Sequence, residues 1–458
     1  MKRIGILTAG GDTPALNATL HGAVARANQL RVEVVGLIKG FSSLQNSRVP
    51  HVQLNPLFRE IPELDATQGG TIIGASRDYV DPEDREQLDR IIGRLNHLKV
   101  DGLICIGGDG TLNGLQPIAE QMPAVLAPKT IDNDLGLNYM SEAQEWVRKE
   151  QADGMVDYSR SRTRTEFDLE YMVNYVTPGY ATAVFDVAMG INRVRTTAES
   201  HRRIAIVEVM GRDSGYIALG ASYGQPDFIL IPEAPVDADL LVEQVKELYE
   251  LQKNVVIVCG EGISDESGEQ LGAHQESPDP SGNVLLSGAA EAVRRILIER
   301  IGDRYFVDRR RGESADAAIF TRKVGHSQRG GRPILFDRFH AAQLGGRAVD
   351  MLLEGQNNAI ATLNWNRDDG FYVDSLDANM LRDPWGHIHA RLVHPSFYDT
   401  DRMRPSRMGV EYLLQIFTRA IGHDDLENIS RSLFDSGNLF RPYHGPNTDI
   451  ARRIRYLD

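Results

Sequence analysis

The sequence holds only two cysteines in 458 residues, too few for a disulfide framework or a cysteine-built metal site. Each of them, Cys105 and Cys259, sits in an apolar run (Gly102-Leu103-Ile104-Cys105-Ile106 and Val255-Val256-Ile257-Val258-Cys259) that reads as a buried strand. No apolar run reaches membrane-spanning length, and no tract is of low complexity. The opening Met1–Leu7 enters a strand directly and lacks the core of a signal peptide, so a reducing, cytoplasmic setting is expected. Positive charge is also in deficit, with 50 Lys and Arg against 64 Asp and Glu, a net charge of -14. Such a field repels nucleic acid and anionic membranes, so neither is expected as a partner. An anionic small molecule would need a local basic pocket.

What is present suits a globular enzyme: 41% hydrophobic and 25% charged residues, in a length that fits two or three domains. Short apolar strands alternate with helical periodicity. Ile4 to Thr8, a helix from about Pro14 to Asn28 and Val32 to Ile38 form a βαβ unit. In that helix Leu16, Leu20, Ala23, Val24 and Ala27 make one apolar face, and Pro14 suits its first turn. A second unit runs through a Glu83–Leu98 helix, the Gly102–Ile106 strand, a helix from Leu112 and the Ala124–Leu126 strand. Further strands at Ile204–Val209, Phe228–Ile231 and Val255–Val258, with helices such as Asp239–Leu251, predict another α/β domain. Residues 141–176 read as a charged, irregular insertion with Arg160, Arg162 and Arg164 alternating with Ser and Thr. The chain beyond about Asp368 reads as a polar tail with short helical patterns. Solvated surface or an oligomer contact accounts for both stretches, and surface charge accounts for the Arg309–Arg311 run.

Three turns carry chemistry. Thr8-Ala9-Gly10-Gly11-Asp12-Thr13-Pro14 leads a strand through two glycines into a helix, where backbone N–H groups can approach phosphate oxygens. Strand-to-helix turns also need glycine for steric reasons alone. Ile106-Gly107-Gly108-Asp109-Gly110-Thr111 repeats the design, and two such turns at the carboxyl ends of parallel strands make a phosphate crevice. Asp109 could ligate Mg²⁺ through oxygen or could cap the following helix. Pro128-Lys129-Thr130-Ile131-Asp132-Asn133-Asp134 gathers two carboxylates, a hydroxyl and an ammonium at a strand end, an arrangement costly for packing alone. It suits phosphoryl transfer, which needs a group to take the acceptor hydroxyl's proton and cations to balance phosphate charge.

These motifs occur in order with Gly70-Thr71-Ile72-Ile73-Gly74-Ala75-Ser76-Arg77, and the chain resembles the phosphofructokinase superfamily. Glu199-Ser200-His201-Arg202-Arg203, Val209-Met210-Gly211-Arg212-Asp213-Ser214-Gly215, Gly260-Glu261-Gly262 and Gly325-His326-Ser327-Gln328-Arg329-Gly330-Gly331 resemble its sugar-phosphate half. The resemblance covers residues 1 to about 355, the insertion excepted. It implies an α/β protein of two Rossmann-like three-layer domains with mainly parallel sheets. Residues 1–140 plus about 333–367 would bind the donor and 141–332 the sugar phosphate, with 368–458 as an extension and the active site in the cleft. It implies that Asp132 is the base for the sugar 1-hydroxyl, that Asp109 binds Mg²⁺, and that Thr130 and Asp134 shape the same site. Gly11, Gly108, Gly110, Thr111 and Lys129 would meet the donor, and Arg77 and Arg212 would balance charge on the moving phosphoryl group. Met210, Gly211 and Glu261 would contact the sugar. Arg203, His326 and Arg329, with Arg322 as a further candidate, would bind the acceptor and its 6-phosphate.

Within that family Gly110 implies ATP as donor, since the residue after Gly-Gly-Asp is commonly Asp in pyrophosphate users. Lys129 is the feature shared with pyrophosphate-dependent members, and plant-type ATP members combine the two. The expected reaction is phosphorylation of fructose 6-phosphate to fructose 1,6-bisphosphate in glycolysis, with pyrophosphate-dependent transfer or a non-catalytic sugar-phosphate-binding homologue as alternatives. Intact Asp109, Asp132 and Arg212 oppose the last. NAD and lipid kinases share Gly-Gly-Asp-Gly but leave Met210-Gly211-Arg212 unexplained. His21 and Ala25 stand where bacterial allosteric members carry arginines, which removes the expected basis of nucleoside-diphosphate and phosphoenolpyruvate control. Arg203-type side chains reach a neighbouring subunit's acceptor in the family, so the resemblance implies a homodimer or homotetramer.

Overall fold

Strands of Val, Ile, Leu and Cys with almost no polar interruption are buried on both faces, the signature of parallel sheets covered by helices. The computed structural model describes residues 1–78, 80–81, 84–150, 156–160, 163–272, 288–310 and 312–457. Glu83, where a helix was expected to begin, and Arg162 and Arg311 lie outside the described residues. The described chain forms two compact units, Met1–Thr182 with Arg329–Arg391 and Ile416–Asp458, and Ala183–Gln328 with Leu392–Gln415.

The first unit is built on an eight-stranded sheet whose order runs Gly370–Asp377, Ala359–Asn366, Ala124–Pro128, Gly102–Gly107, Arg3–Ala9, Glu33–Leu37, His51–Gln53, with Ala75–Ser76 also on Arg3–Ala9. Its centre is parallel, and the first and last pairs in that order are antiparallel. Helices Leu16–Gln29 and Leu335–Leu353 cross at glycines. A Cβ on Gly22 would lie 1.9 Å from the Ala342 carbonyl, and one on Gly345 would lie 2.0 Å from that of Thr19. The helix Arg85–His97 is capped by Asp84, which accepts from Gln87 N at 2.9 Å. The second unit holds a parallel four-stranded sheet, Phe228–Leu230, Val255–Gly260, Ile204–Val209, Ile319–Lys323. Cys105 and Cys259 are free, and each is buried in a strand, as its apolar run predicts.

The expected domain boundaries need correction. Residues 141–182 belong to the first unit and the chain returns to it at Arg329, because this stretch is sewn to the sheet end. Leu137 and Val173 exchange backbone hydrogen bonds of 3.0 and 2.9 Å, and Asn174 donates to Leu135 O at 2.6 Å and accepts from Leu363 N at 3.0 Å. The insertion is also less irregular than expected, since Trp146–Glu150 and Val156–Arg160 pair as an antiparallel hairpin. The tail divides, with Leu392–Gln415 in the second unit and the rest in the first. No helix among the described residues is long and apolar enough to cross a membrane.

Candidate active site

Parallel register brings three turns to one end of the eight-stranded sheet. Thr8 stands opposite Ile106 and Ile106 opposite Ala127, so the turns after Ala9, Gly107 and Pro128 lie side by side at the strands' carboxyl ends. In the first turn Gly10 adopts a φ of +77°, open chiefly to glycine, and its N–H donates to Ser76 O at 2.9 Å. The exposed Arg77 follows directly. In the second turn a Cβ on Gly107 would lie 2.1 Å from Thr111 Oγ1, so the helix Asp109–Ala119 starts hard against the strand. Gly108 occupies the cap position and no side chain caps this helix, which removes the capping explanation for Asp109, its first residue. A Cβ on Gly110 would meet no atom within 4 Å.

The third turn carries the charges. Lys129 is buried and its ammonium donates to the Gly11 carbonyl. Burial first, and then the neighbouring Arg329 cation, pull its pKa down to about 7, against the pull of Asp12, Asp132 and Asp134. Arg329 lies along Gly11, with Nη1 3.4 Å from the Asp12 carbonyl and Nη2 3.8 Å from Asp132 Oδ2. Thr130 Oγ1 accepts from Asp132 N at 3.0 Å. Burial, followed by the charges of Asp109 and Asp132, pushes the Asp134 carboxyl well up, and its buried Oδ1 has no hydrogen-bond partner. Four carboxylates, Asp12, Asp109, Asp132 and Asp134, and two cations, Lys129 and Arg329, thus share one turn-lined space. One carboxylate can take a proton while the cations balance an entering phosphate. Among the described residues no group of three or more His, Cys, Asp or Glu is placed to hold a metal. The donor set fits a hard cation bound by a single carboxylate, phosphate oxygens and water.

In the second unit the Ile204–Val209 strand delivers Met210-Gly211-Arg212. Gly211 has a φ of +123°, and a Cβ there would lie 2.5 Å from Ser214 O. The loop after Val255–Gly260 presses on it: Glu261 N donates to Val209 O at 3.0 Å, and a Cβ on Gly262 would lie 1.7 Å from Arg212 O. Met210 N donates to Gln328 Oε1 at 3.3 Å, which ties the His326-containing turn to the same loop. Arg212 is half-buried and its Nε has no hydrogen-bond partner. His326 is exposed. Arg322 is exposed on Ile319–Lys323, donating to Thr321 O at 2.7 Å and lying 5.1 Å over the Phe320 ring. Arg203 precedes the Ile204–Val209 strand while Met210 follows it. At about 3.3 Å per residue the two ends are roughly 20 Å apart, so one chain does not bring Arg203 to Met210–Arg212.

Residues 3–141 and 168–352 match the phosphofructokinase family. The chain belongs to the phosphofructokinase family. The unmatched residues 142–167 fall within the insertion. The ATP-dependent 6-phosphofructokinase 3 of Streptomyces coelicolor is 32% identical over 367 residues, 79% of this chain and 90% of that protein. The pyrophosphate–fructose 6-phosphate 1-phosphotransferase of Dictyoglomus thermophilum is 32% identical over 404 residues, 87% of this chain and 97% of that protein. The pyrophosphate-dependent phosphofructokinase of Marinobacter aquaeolei superposes with a TM-score of 0.67 at 16% identity over 92% of each chain. The phosphofructokinase of Saccharomyces cerevisiae gives 0.60 at 21% identity, over 82% of this chain and 45% of the yeast one. Both structures share the phosphofructokinase fold, two mainly parallel α/β sheets.

One side chain that shapes this candidate site carries no mark in the sequence. Arg391 is buried, with Nη2 donating to Asn133 O at 2.7 Å, Nη1 to Asn174 O at 2.8 Å and its own N–H to Asp134 O at 2.5 Å. It holds the aspartate turn from below, together with Asn133, which adopts a φ of +57° and accepts from Thr177 N at 2.9 Å. Nothing in Ile388-His389-Ala390-Arg391 signals that role. A cavity of about 470 Å³ lined by Gln53, Glu63, Asp449, Arg452, Arg453 and Arg455 lies at the sheet edge beside His51–Gln53, away from the three turns.

Proposed function

We propose that this phosphofructokinase-family protein transfers a phosphoryl group from ATP, with Mg²⁺, to the 1-hydroxyl of fructose 6-phosphate, giving fructose 1,6-bisphosphate and ADP. The observation that carries this reading is the convergence of the Gly10–Asp12, Gly107–Thr111 and Lys129–Asp134 turns, with Lys129, Asp109, Asp132 and Asp134 in one electrostatic cluster. Asp132 takes the hydroxyl proton, and Thr130 fixes its backbone. Gly11, Gly108 and Thr111 shape the donor's phosphate bed, with Lys129 and Arg77 as counter-charges. Asp109 would hold Mg²⁺, which when bound supplies positive charge to the phosphoryl oxygens. Arg212 balances the transferring group. Met210, Gly211, Glu261, His326 and Arg329, with Arg203 and Arg322, serve the acceptor. The first unit is the donor half and the second the sugar-phosphate half of a cytoplasmic homodimer or homotetramer.

Open space at Gly110 supports ATP, because a side chain there would face the nucleotide's α-phosphate. The second reading, pyrophosphate as donor, is favoured by Lys129, whose ammonium sits on the Gly11 carbonyl where a phosphate would bind. Relatives carrying each name are equally similar. Purified protein with Mg²⁺ and fructose 6-phosphate, given ATP or pyrophosphate in parallel, separates the two. Turnover with pyrophosphate alone would replace the first reading by the second, and inactivity with both donors would remove both.

A further inference from the structure

Between Asp425 and Pro446 the chain reverses the usual pattern of burial. The helix Asp425–Leu433 carries Leu426, Ile429 and Leu433 at three- and four-residue steps, an apolar stripe, yet its one buried residue is Asp425. A nine-residue helix is too short to persist alone in water and depends on covering such a stripe. From its last residue onward the exposure rises: Leu433 68%, Phe434 85%, Leu439 83%, Phe440 83%, Tyr443 91%.

Both ends of this segment are fixed, so it is no fraying terminus. The Asp425 carboxylate accepts from Leu335 N at 2.8 Å, Gly422 N at 2.8 Å and Arg338 Nη1 at 3.1 Å. On the far side Ile450 is buried, Arg453 pairs with Glu63 at 2.7 Å, and Arg455 exchanges backbone hydrogen bonds of 2.7 and 2.9 Å with His51. The anchored body holds out an apolar arm.

Size and charge say what covers it. Three nearly bare rings, each worth about 150–250 Å², offer about 500 Å². The leucines raise this to about 900 Å², beyond the roughly 300–600 Å² of a monomer's largest apolar patch and close to the ~800 Å² each partner gives a standard interface. From Ser432 to Tyr443 the charged residues are Asp435 and Arg441, with no Lys or Glu, the composition of an interface centre. A chain of net charge -14 repels its copy on average, but this stretch is balanced. An anionic membrane is a poor fit, because the helix's charges are Asp425, Glu427 and Arg431 rather than a basic face.

We propose that residues 426–443 form the two-fold interface of a homodimer, the arm of one copy covering the same arm of the other. Sedimentation of the full chain through the micromolar range, with and without Phe434→Ser, Phe440→Ser and Tyr443→Ser combined, tests this independently of activity. The triple variant should keep its circular dichroism and show half the parent's mass, with self-association weakened on the order of 100-fold or more. A monomeric parent, or a variant of unchanged mass, overturns the proposal. Should the variant fail to fold, hydrogen exchange of the parent decides. Amides of 426–443 should be protected at high concentration and lose protection on dilution, and concentration-independent exchange there overturns the interface.

Discussion

At the scale of single residues, sterics and charge made the site legible. Gly107 and Gly211 stand where a Cβ would collide, and the Lys129–Asp134 carboxylates are too costly to bury together without use. Arg391 was not legible, since its donors reach carbonyls more than 200 positions away in sequence and no local pattern encodes that. Asp132→Asn keeps shape and removes the base, so kcat should fall by roughly 10²- to 10⁴-fold with an unchanged thermal melt. Near-normal turnover in a well-folded variant would take Asp132 out of the mechanism. Gly110→Asp should fold normally, because its Cβ enters open space. Two unit charges about 4 Å apart repel by ~1 kcal/mol in water and ~4 kcal/mol at an effective dielectric near 20, so ATP binding should weaken by roughly 5- to 1,000-fold. Pyrophosphate has no α-phosphate to be repelled. ATP kinetics matching the parent would withdraw the main support for ATP.

At the scale of elements, strands and helices with one clear period were read nearly to the residue, as with Ile204–Val209. The Trp146–Glu150 and Val156–Arg160 hairpin was missed because its strands are short, charged and largely exposed, so no apolar alternation marks them. Between elements, Glu233 ties the start of the Tyr216–Gly220 helix to the tail, accepting from Gly215 N at 2.9 Å and Val393 N at 2.7 Å. Burial pushes its pKa up from 4.5 to about 7. The folded state therefore holds the proton more tightly than the unfolded chain. The associated stability is fully present below about pH 4.5 and is lost as pH rises through about 7. Glu233→Gln keeps an acceptor oxygen for both N–H groups and cannot ionise. Its melting temperature relative to the parent should be higher at pH 8 than at pH 5, and a pH-independent difference would show that Glu233 ionises normally.

At the scale of the whole molecule, two α/β halves were legible from the repetition of strand and helix, but their borders were not. The first border falls at Thr182–Ala183, inside the continuous helix Tyr180–His201 and past the Pro178-Gly179 pair that opens it, where no change of period marks it. The strand Ile204–Val209 raises a related question about assembly, since Arg203 and Met210–Arg212 sit at its opposite ends, roughly 20 Å apart. If Arg203 serves an acceptor held by Met210 and Arg212, it must serve that of another copy. Arg203→Ala should then raise the acceptor KM by about 10-fold or more, the loss of a charge-assisted bond worth ~1.5–3 kcal/mol. Mixing decides between copies. In a hybrid of Arg203→Ala and Asp132→Asn subunits, one site regains both an intact base and an intact arginine from its neighbour. With random pairing of two-fold dimers about a quarter of parental sites are restored, a recovery visible at acceptor concentrations too low for either variant alone. An arginine acting within its own chain would leave every hybrid site defective, so unfolding and refolding the two variants together would then recover nothing beyond the sum of their separate activities.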